Sequence, residues 1–327
     1  MPPEDRDRRD AAVTGRYRYA VYGIVVESGF PLRAVDEAPD PAVAATVRID
    51  LGWPAYFQER TRGVVSDPDD WLHHTVLPAG GIYMRVDGIF EAIVSSDGSH
   101  VVCARLANAD DRSFEANLLN FVLSTSLTLQ GEEPLHATVV DLDGRAVGLL
   151  GHSGAGKSTL AAFLIAQGGK LITDDMLRLT FVDGLACAHT GPQRLKLLDE
   201  AAARFLPEAV GDGYWNTLSG KIMVQPHALT PERHVPQPLT ALFWLGEPEP
   251  SSVPGIVTAT RLAGIDLARV LTSSAMNIRY YAPDRLTRQL QFAERVARVL
   301  PVHALRYARD YPLLERVAAE IRRLVGS

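Results

Sequence analysis

The sequence predicts an α/β protein in two parts: a smaller β-rich N-terminal domain and a larger domain built around a glycine-rich phosphate-binding loop. Three observations predict it. Gly151-His152-Ser153-Gly154-Ala155-Gly156-Lys157-Ser158 fits the pattern G-x-x-x-x-G-K-[ST], between an apolar strand at Val147 to Leu150 and a helix from Lys157 to Gln167. A β-hairpin, Ala137 to Val140 with Ala146 to Leu150, leads into that loop. Ahead of both lies a region, up to about residue 110, dense in short β-branched and aromatic runs. With 327 residues and 46% hydrophobic content, the chain can bury a large core divided between two domains.

In the first region Tyr17 to Val26 reads as β structure, and Ala45 to Leu51 alternates at period two. Gly80-Gly81 opens Ile82 to Val86, Asp87-Gly88 makes a hairpin turn into Ile89 to Val94, and Asp97-Gly98 turns into His100 to Arg105. These runs predict a sheet of short antiparallel strands. Trp71, His73 and His74 read as loop and surface residues in a Pro- and Asp-rich stretch. Phe114, Leu118, Phe121 and Val122 recur at helical spacing after the acidic start at Asp110-Asp111. They predict a helix over Asp111 to Leu127 that joins the two domains, with Gly131 to Pro134 as linker. The division is therefore a disordered tail over residues 1–15, an N-terminal domain over 16–130 and the loop-bearing domain over 131–327.

Beyond the loop, Gly168-Gly169 ends the helix and Lys170 to Thr173 forms a short buried strand delivering Asp174-Asp175. Further strands are expected at Leu177 to Val182, Leu185 to His189, Lys221 to Val224 and Leu239 to Leu245. Amphipathic helices are expected at Pro283 to Val299 and Tyr311 to Val325.

The net charge of −6 argues against a general nucleic-acid binder. No apolar run approaches the roughly 20 residues that span a bilayer. Cys103 and Cys187 lack metal-type spacing and imply no disulfide framework. Together these predict a cytoplasmic protein with neither nucleic-acid nor membrane partners.

The loop carries its own chemistry. Gly151, Ser153, Gly154, Ala155 and Gly156 would curl the backbone so that N–H groups converge on phosphate oxygens at a helix N-terminus. Lys157 adds positive charge for the outer phosphates, Ser158 a hydroxyl for Mg²⁺, and Thr159 extends the phosphate cradle. Asp174 and Asp175 can hold Mg²⁺ and orient a hydroxyl nucleophile, or simply cap the next element. Adjacent residues on a strand face opposite ways. The expected division is therefore Asp175 as base toward the acceptor and Asp174 in metal duty. Read alone, His136 is a structural residue entering a strand.

Leu135-His136, the hairpin, GHSGAGKST and Leu171-Ile172-Thr173-Asp174-Asp175 resemble the HPr serine kinase/phosphorylase family. The histidine-to-lysine and lysine-to-aspartate spacings both match across roughly residues 135 to 180. The resemblance implies a phosphoenolpyruvate-carboxykinase-like core with a mixed sheet, for which the hairpin is independent support. It implies an ATP- and Mg²⁺-dependent serine kinase with His136 in its site. The family's Glu-x-Arg-Gly signature is missing; Gly191-Pro192-Gln193-Arg194-Leu195-Lys196-Leu197 stands instead. That departure, with Tyr22-Gly23-Ile24 and Pro31-Leu32, resembles a divergent group from gene clusters for ribosomal peptides, lasso peptides included. It implies a peptide or small-protein acceptor bearing a serine hydroxyl, and a kinase without useful phosphorylase activity.

Arg194 either stabilises a transferring phosphoryl group or makes a surface salt bridge. Lys221, after Ser219-Gly220, is a candidate for phosphate or a peptide carboxylate. Asn277 and Arg279 either contact adenine or acceptor or cap a local element. A small-molecule kinase and a non-catalytic ATP-binding regulator are the rival readings, and homo-oligomerisation stays open.

Overall fold

The computed structural model describes residues 16–38, 40, 42–65, 70–216, 219–226, 235–247 and 255–326. The expected tail over 1–15 lies outside them.

The N-terminal sheet holds β1 (Tyr17–Val21), β2 (Ile24–Ser28), β3 (Asp36–Glu37), β4 (Val47–Leu51), β5 (His73–Val76), β6 (Ile82–Val86), β7 (Phe90–Val94) and β8 (His100–Arg105). Their order is β3-β1-β2-β4-β8-β7-β6-β5. It is mixed, not antiparallel as expected: β4 runs parallel to both β2 and β8. Local hairpins are legible in turn residues, but the partner of a strand reached through a crossover is chosen by packing. The run at Tyr17 to Val26 is a hairpin, reversed at Tyr22-Gly23, both at positive φ. Only glycine fits its place there: a Cβ on Gly23 would stand 2.0 Å from His189 Nδ1. His73 and His74 lie on β5 and not in a loop, because β5 pairs in register with β6, and His73 is buried. A short helix, α1 (Pro54–Arg60), packs Phe57 against the sheet's other face with Tyr83, Ile93 and Val102.

The connecting helix starts where Asp110 caps it, its side chain accepting from Ser113 N. It comprises α2 (Asp111–Asn117), a π-helical turn over Leu118–Val122, and α3 (Leu123–Leu129). Its apolar stripe of Phe114, Leu118, Val122 and Leu123 covers the sheet face built by Val26, Ile49, Met84 and Val101.

The second sheet follows the order β11-β9-β10-β17-β13-β12. Its strands are β9 (Ala137–Leu142), β10 (Arg145–Leu150), β11 (Lys170–Thr173), β12 (Leu179–Val182), β13 (Leu185–Ala188) and β17 (Gln237–Leu245). Two more, β18 (Thr258–Arg261) and β19 (Val302–Arg306), join through β19 beside β17. The β9–β10 hairpin is antiparallel, and β10 runs parallel to β17, so the expected mixed sheet is present. Period-two alternation splits it into two apolar faces. Val140, Val147, Leu149 and Phe243 pack under α4 (Lys157–Ala166) and α9 (Leu314–Val325). Ala137, Val139, Leu150 and Leu242 pack under α7 (Gly264–Ser274) and α8 (Pro283–Val299). A three-stranded sheet, β14 (Leu195–Leu197), β16 (Lys221–Val224) and β15 (Tyr214–Asn216), stands beside them, followed in sequence from β14 by α5 (Asp199–Phe205) and α6 (Pro207–Val210). No described helix is long and apolar enough to cross a membrane. Cys103 and Cys187 are buried and free.

The linker carries one buried ion pair. Arg285 Nη2 lies 3.1 Å from Glu133 Oε2, the side chains 3% and 2% exposed. The same guanidinium donates to the carbonyls of Met276, Asn277 and Tyr280, so it fixes the turn between α7 and α8. Glu133→Ala strands that cation in the core. We expect a loss of about 3–5 kcal/mol of folding stability, read from urea unfolding.

Candidate active site

The loop after β10 closes through left-handed glycines: Gly154 at φ 82° and Gly156 at φ 89°, with Gly151 at 146°. Gly156 caps α4, and Leu160 N donates to its carbonyl at 2.9 Å. At Gly151 a Cβ would stand 3.0 Å from Ala155 Cβ and 3.3 Å from the Leu245 carbonyl oxygen, so the close turn requires glycine. Ser153 and Gly154 are exposed, Ser158 and Thr159 half-buried, at the free N-terminal end of a ten-residue helix. Such an end suits an anion. Lys157 is buried, and its Nζ donates to the Gly151 and His152 carbonyls at 2.8 and 3.2 Å. Burial lowers its pKa, while the charges of Asp174 and Asp175 act the other way.

β11 stops at Thr173, so the two aspartates are not strand residues. They occupy a bend in which Met176 N donates to the Asp174 carbonyl and Thr173 Oγ1 to the Met176 carbonyl. Asp175 takes φ 65°, a left-handed and strained conformation for a residue with a side chain. In a bend adjacent side chains need not face opposite ways, and both carboxylates line one narrow pocket, partly open to solvent.

What separates them is environment. Asp174 is buried; its Oδ1 accepts from Thr138 Oγ1 at 2.6 Å and its Oδ2 from Lys196 N at 3.0 Å. Burial and the neighbouring Asp175 charge raise its pKa well above the carboxylate range. Asp175 keeps a quarter of its side chain exposed and accepts from Lys196 Nζ at 2.7 Å. Burial acts against its charged form, but Lys196 and then His136 outweigh it and hold its pKa far below the usual value.

The other expected site residues divide. His136 feels the charges of Lys157, Asp175, Lys196 and Lys221; burial first, then Lys157, lowers its pKa to about 4, so it is neutral at pH 7. Its backbone N donates to the Ser274 carbonyl at 2.7 Å. Arg194 lines the aspartate pocket and donates to the Ala116 carbonyl at 3.3 Å. Lys221, paired with Asn216 in the three-stranded sheet, is near enough to perturb both His136 and Lys157. Arg279 belongs to a different cluster, 2.9 Å from Asp70 and 3.0 Å from the Leu72 carbonyl. Asn277 bonds Thr125 and Thr128 on the connecting helix.

Several neighbours escaped the sequence reading. Lys196 sits between Leu195 and Leu197, buried as a pair, so alternation alone could have flagged it as facing away from their core. Thr138 is invisible as a strand residue among many. Tyr22 and Asn120 reach the pocket from the N-terminal part. Tyr307 and Arg309 flank Gly156, where a Cβ would lie 3.9 Å from each; Arg309 also donates to the Gly246 carbonyl at 2.7 Å. Among the described residues no cluster of three or more His, Cys, Asp or Glu forms a ready metal cage.

A loop suited to an anion, a lysine beneath it and two carboxylates facing one pocket define a site that can bind phosphate and orient a hydroxyl. Comparison with known proteins finds similarity over part of the chain. A stretch of 85 residues, 26% of this chain, is 35% identical to the HPr kinase/phosphorylase of Limosilactobacillus reuteri (strain DSM 20016). Over 56 residues, 17% of the chain, it is 41% identical to the HPr kinase/phosphorylase of Clostridium beijerinckii (strain ATCC 51743 / NCIMB 8052). The matches span 26% and 18% of the length of those relatives. Among solved structures, the Hpr(Ser) kinase/phosphatase from Coxiella burnetii aligns over 58% of this chain and 96% of its own, with 14% identity and a TM-score of 0.32. No family model matches.

The Lys196 pair makes a pH prediction. A depressed Asp175 pKa stabilises the fold above the ordinary carboxylate range, and that contribution is lost as pH falls through the folded-state value. Lys196→Met should raise the Asp175 pKa and move the acid unfolding limb to higher pH. Carboxyl ¹³C titration and unfolding midpoints between pH 2 and 6 read both effects.

Proposed function

We propose that this chain is an ATP- and Mg²⁺-dependent serine kinase that phosphorylates a peptide or small protein. The observation that carries the reading is the single pocket in which Asp174 and Asp175 meet Arg194, with His136 near enough to act on Asp175 and Lys157 near enough to feel both carboxylates. The partial similarity to HPr kinase/phosphorylases supports it.

In this reading the loop from Gly151 to Thr159 is a phosphate loop. Its backbone N–H groups hold the nucleotide's phosphates, and Lys157 exchanges its contacts with the loop carbonyls for the outer phosphates. Mg²⁺ commonly binds through one or two carboxylates completed by substrate phosphates, and Ser158 with Asp174 is a donor set of that kind. The metal would neutralise charge between the outer phosphates. The serine Oγ attacks the γ-phosphorus, the bond to the β,γ-bridging oxygen breaks, ADP leaves, and the hydroxyl proton passes to Asp175. A carboxylate held ionised by Lys196 is a weak base, but phosphoryl transfer through a loose transition state asks chiefly for orientation of the hydroxyl. Neutral His136 can polarise Asp175 without adding charge. Arg194 faces the charge that spreads over the transferring group, and Lys221 completes the cationic rim.

Within the kinase reading, the acceptor we favour is a serine of a ribosomal precursor peptide of lasso type, in the cytoplasm. Its support is the departure at Gly191 to Leu197 from the bifunctional pattern. We take 16–130 and 131–327 as the two domains, with the pocket at their junction.

Incubation with MgATP and serine-bearing peptides should give a phosphate gain by mass spectrometry, and the phosphopeptide should resist inorganic phosphate. Transfer only to a small metabolite would sink the proposal. Lys157→Ala should cost on the order of 10²–10³-fold in turnover; near wild-type turnover would leave the loop a structural role. Asp174→Asn should weaken Mg²⁺ affinity, whereas Asp175→Asn should bind Mg²⁺ and ATP and fail to transfer. The reverse pattern exchanges the two roles.

A further inference from the structure

We propose that Asn120 is a positioning residue that pairs with a backbone amide of an extended acceptor peptide, whose serine hydroxyl enters the Asp174–Asp175 pocket. The assignment deepens the kinase reading and rests on it for the identity of the pocket.

Asn120 sits on the π-helical turn of the connecting helix, where periodicity predicts unbroken α-helix. A π turn is rare inside an α-helix and is found often at functional sites. Here it brings Asn120 to a pocket otherwise lined by Tyr22, Asp174, Asp175, Pro192, Arg194 and Met223. The residue is 8% exposed, and its Oδ1 is buried without a hydrogen-bond partner among the described residues. Leaving a buried polar atom unpaired destabilises the fold, so such an atom in a native site calls for an occupant.

Other polar groups of the same helix are satisfied. Asn117 Nδ2 donates to the Ser113 carbonyl at 2.7 Å, and Thr125 and Thr128 bond Asn277. The unpaired carboxamide is therefore no general feature of the element.

The chemistry selects the ligand. A carboxamide presents one acceptor oxygen and an NH₂ donor, the same pair of functions that a peptide bond presents. It adds no charge to a pocket that already holds two carboxylates and a guanidinium, so it favours a neutral amide over a phosphate or free carboxylate. A serine within a peptide supplies such amides on both sides of its hydroxymethyl group. A free hydroxylated metabolite does not. The pocket is narrow, and Tyr22, Pro192 and Met223 line it.

The test uses acetyl-Gly-Gly-Ser-Gly-Gly-amide, titrated by ligand-observed NMR into the full chain saturated with MgADP. Asn120→Ala removes the carboxamide, and Asn120→Leu replaces it with an apolar group of similar size. Both should bind the peptide about 5- to 30-fold more weakly, with MgADP affinity unchanged. Their melting temperatures should hold or rise, since an unpaired buried polar atom is gone. Equal peptide affinity in wild type and variants, no binding by the wild type, or a fall in melting temperature in both variants would overturn the assignment. A peptide that binds through Asn120 but gains no phosphate from MgATP would overturn the kinase reading and leave the Asn120 assignment standing.

Discussion

Two neighbouring carboxylates in a mostly buried pocket repel each other unless a donor and a cation are fixed beside them, and Lys196 supplies both. Its backbone N–H holds Asp174 and its ammonium holds Asp175. Much of the surrounding architecture serves this contact. β14 must stand at the end of β11, β16 must pair with β14 to steady it, and Thr138 on β9 must take the remaining oxygen of Asp174. The result is a split in proton affinity between adjacent residues, one raised by burial and its neighbour's charge, the other lowered by the ammonium. Such a split is what lets two like groups take different roles in one site.

The same pocket ties the N-terminal part to the second sheet. Tyr22 N donates to the Thr190 carbonyl at 2.8 Å, while Arg178 bridges Glu132 and the carbonyls of Tyr22 and Gly23. Arg194 reaches back to the connecting helix at Ala116. Glu115 of that helix accepts from Arg33 N and Ala34 N. The contacts of Thr190, Arg178 and Arg194 join the turn of the first hairpin and the connecting helix to the second part of the chain. A pocket formed this way depends on two segments that fold in different sheets, and its shape follows from how those sheets meet.

Elements with local causes could be read along the chain. The glycine-rich loop, the hairpin before it, the helix after it and the strand of Lys170–Thr173 were legible, because turn residues and periodicity act over a few positions. The candidates Lys157, Asp174 and Asp175 were legible for the same reason, His136 entered through the family resemblance alone, and Arg194 stayed divided between two roles. Three-dimensional packing alone set the parallel pairing of β4, the strand at His73–Val76 and the π turn at Leu118–Val122, which answer to distant contacts. It also decided that Asp174 and Asp175 share a pocket, since β11 ends one residue before them. Lys196, Thr138, Tyr22 and Asn120 became site residues through chain crossings between separate sheets, and no spacing in one dimension encodes such a crossing. Arg279, alike in type to Arg194, was drawn to Asp70 instead, because a charged side chain pairs with what the fold places nearest to it.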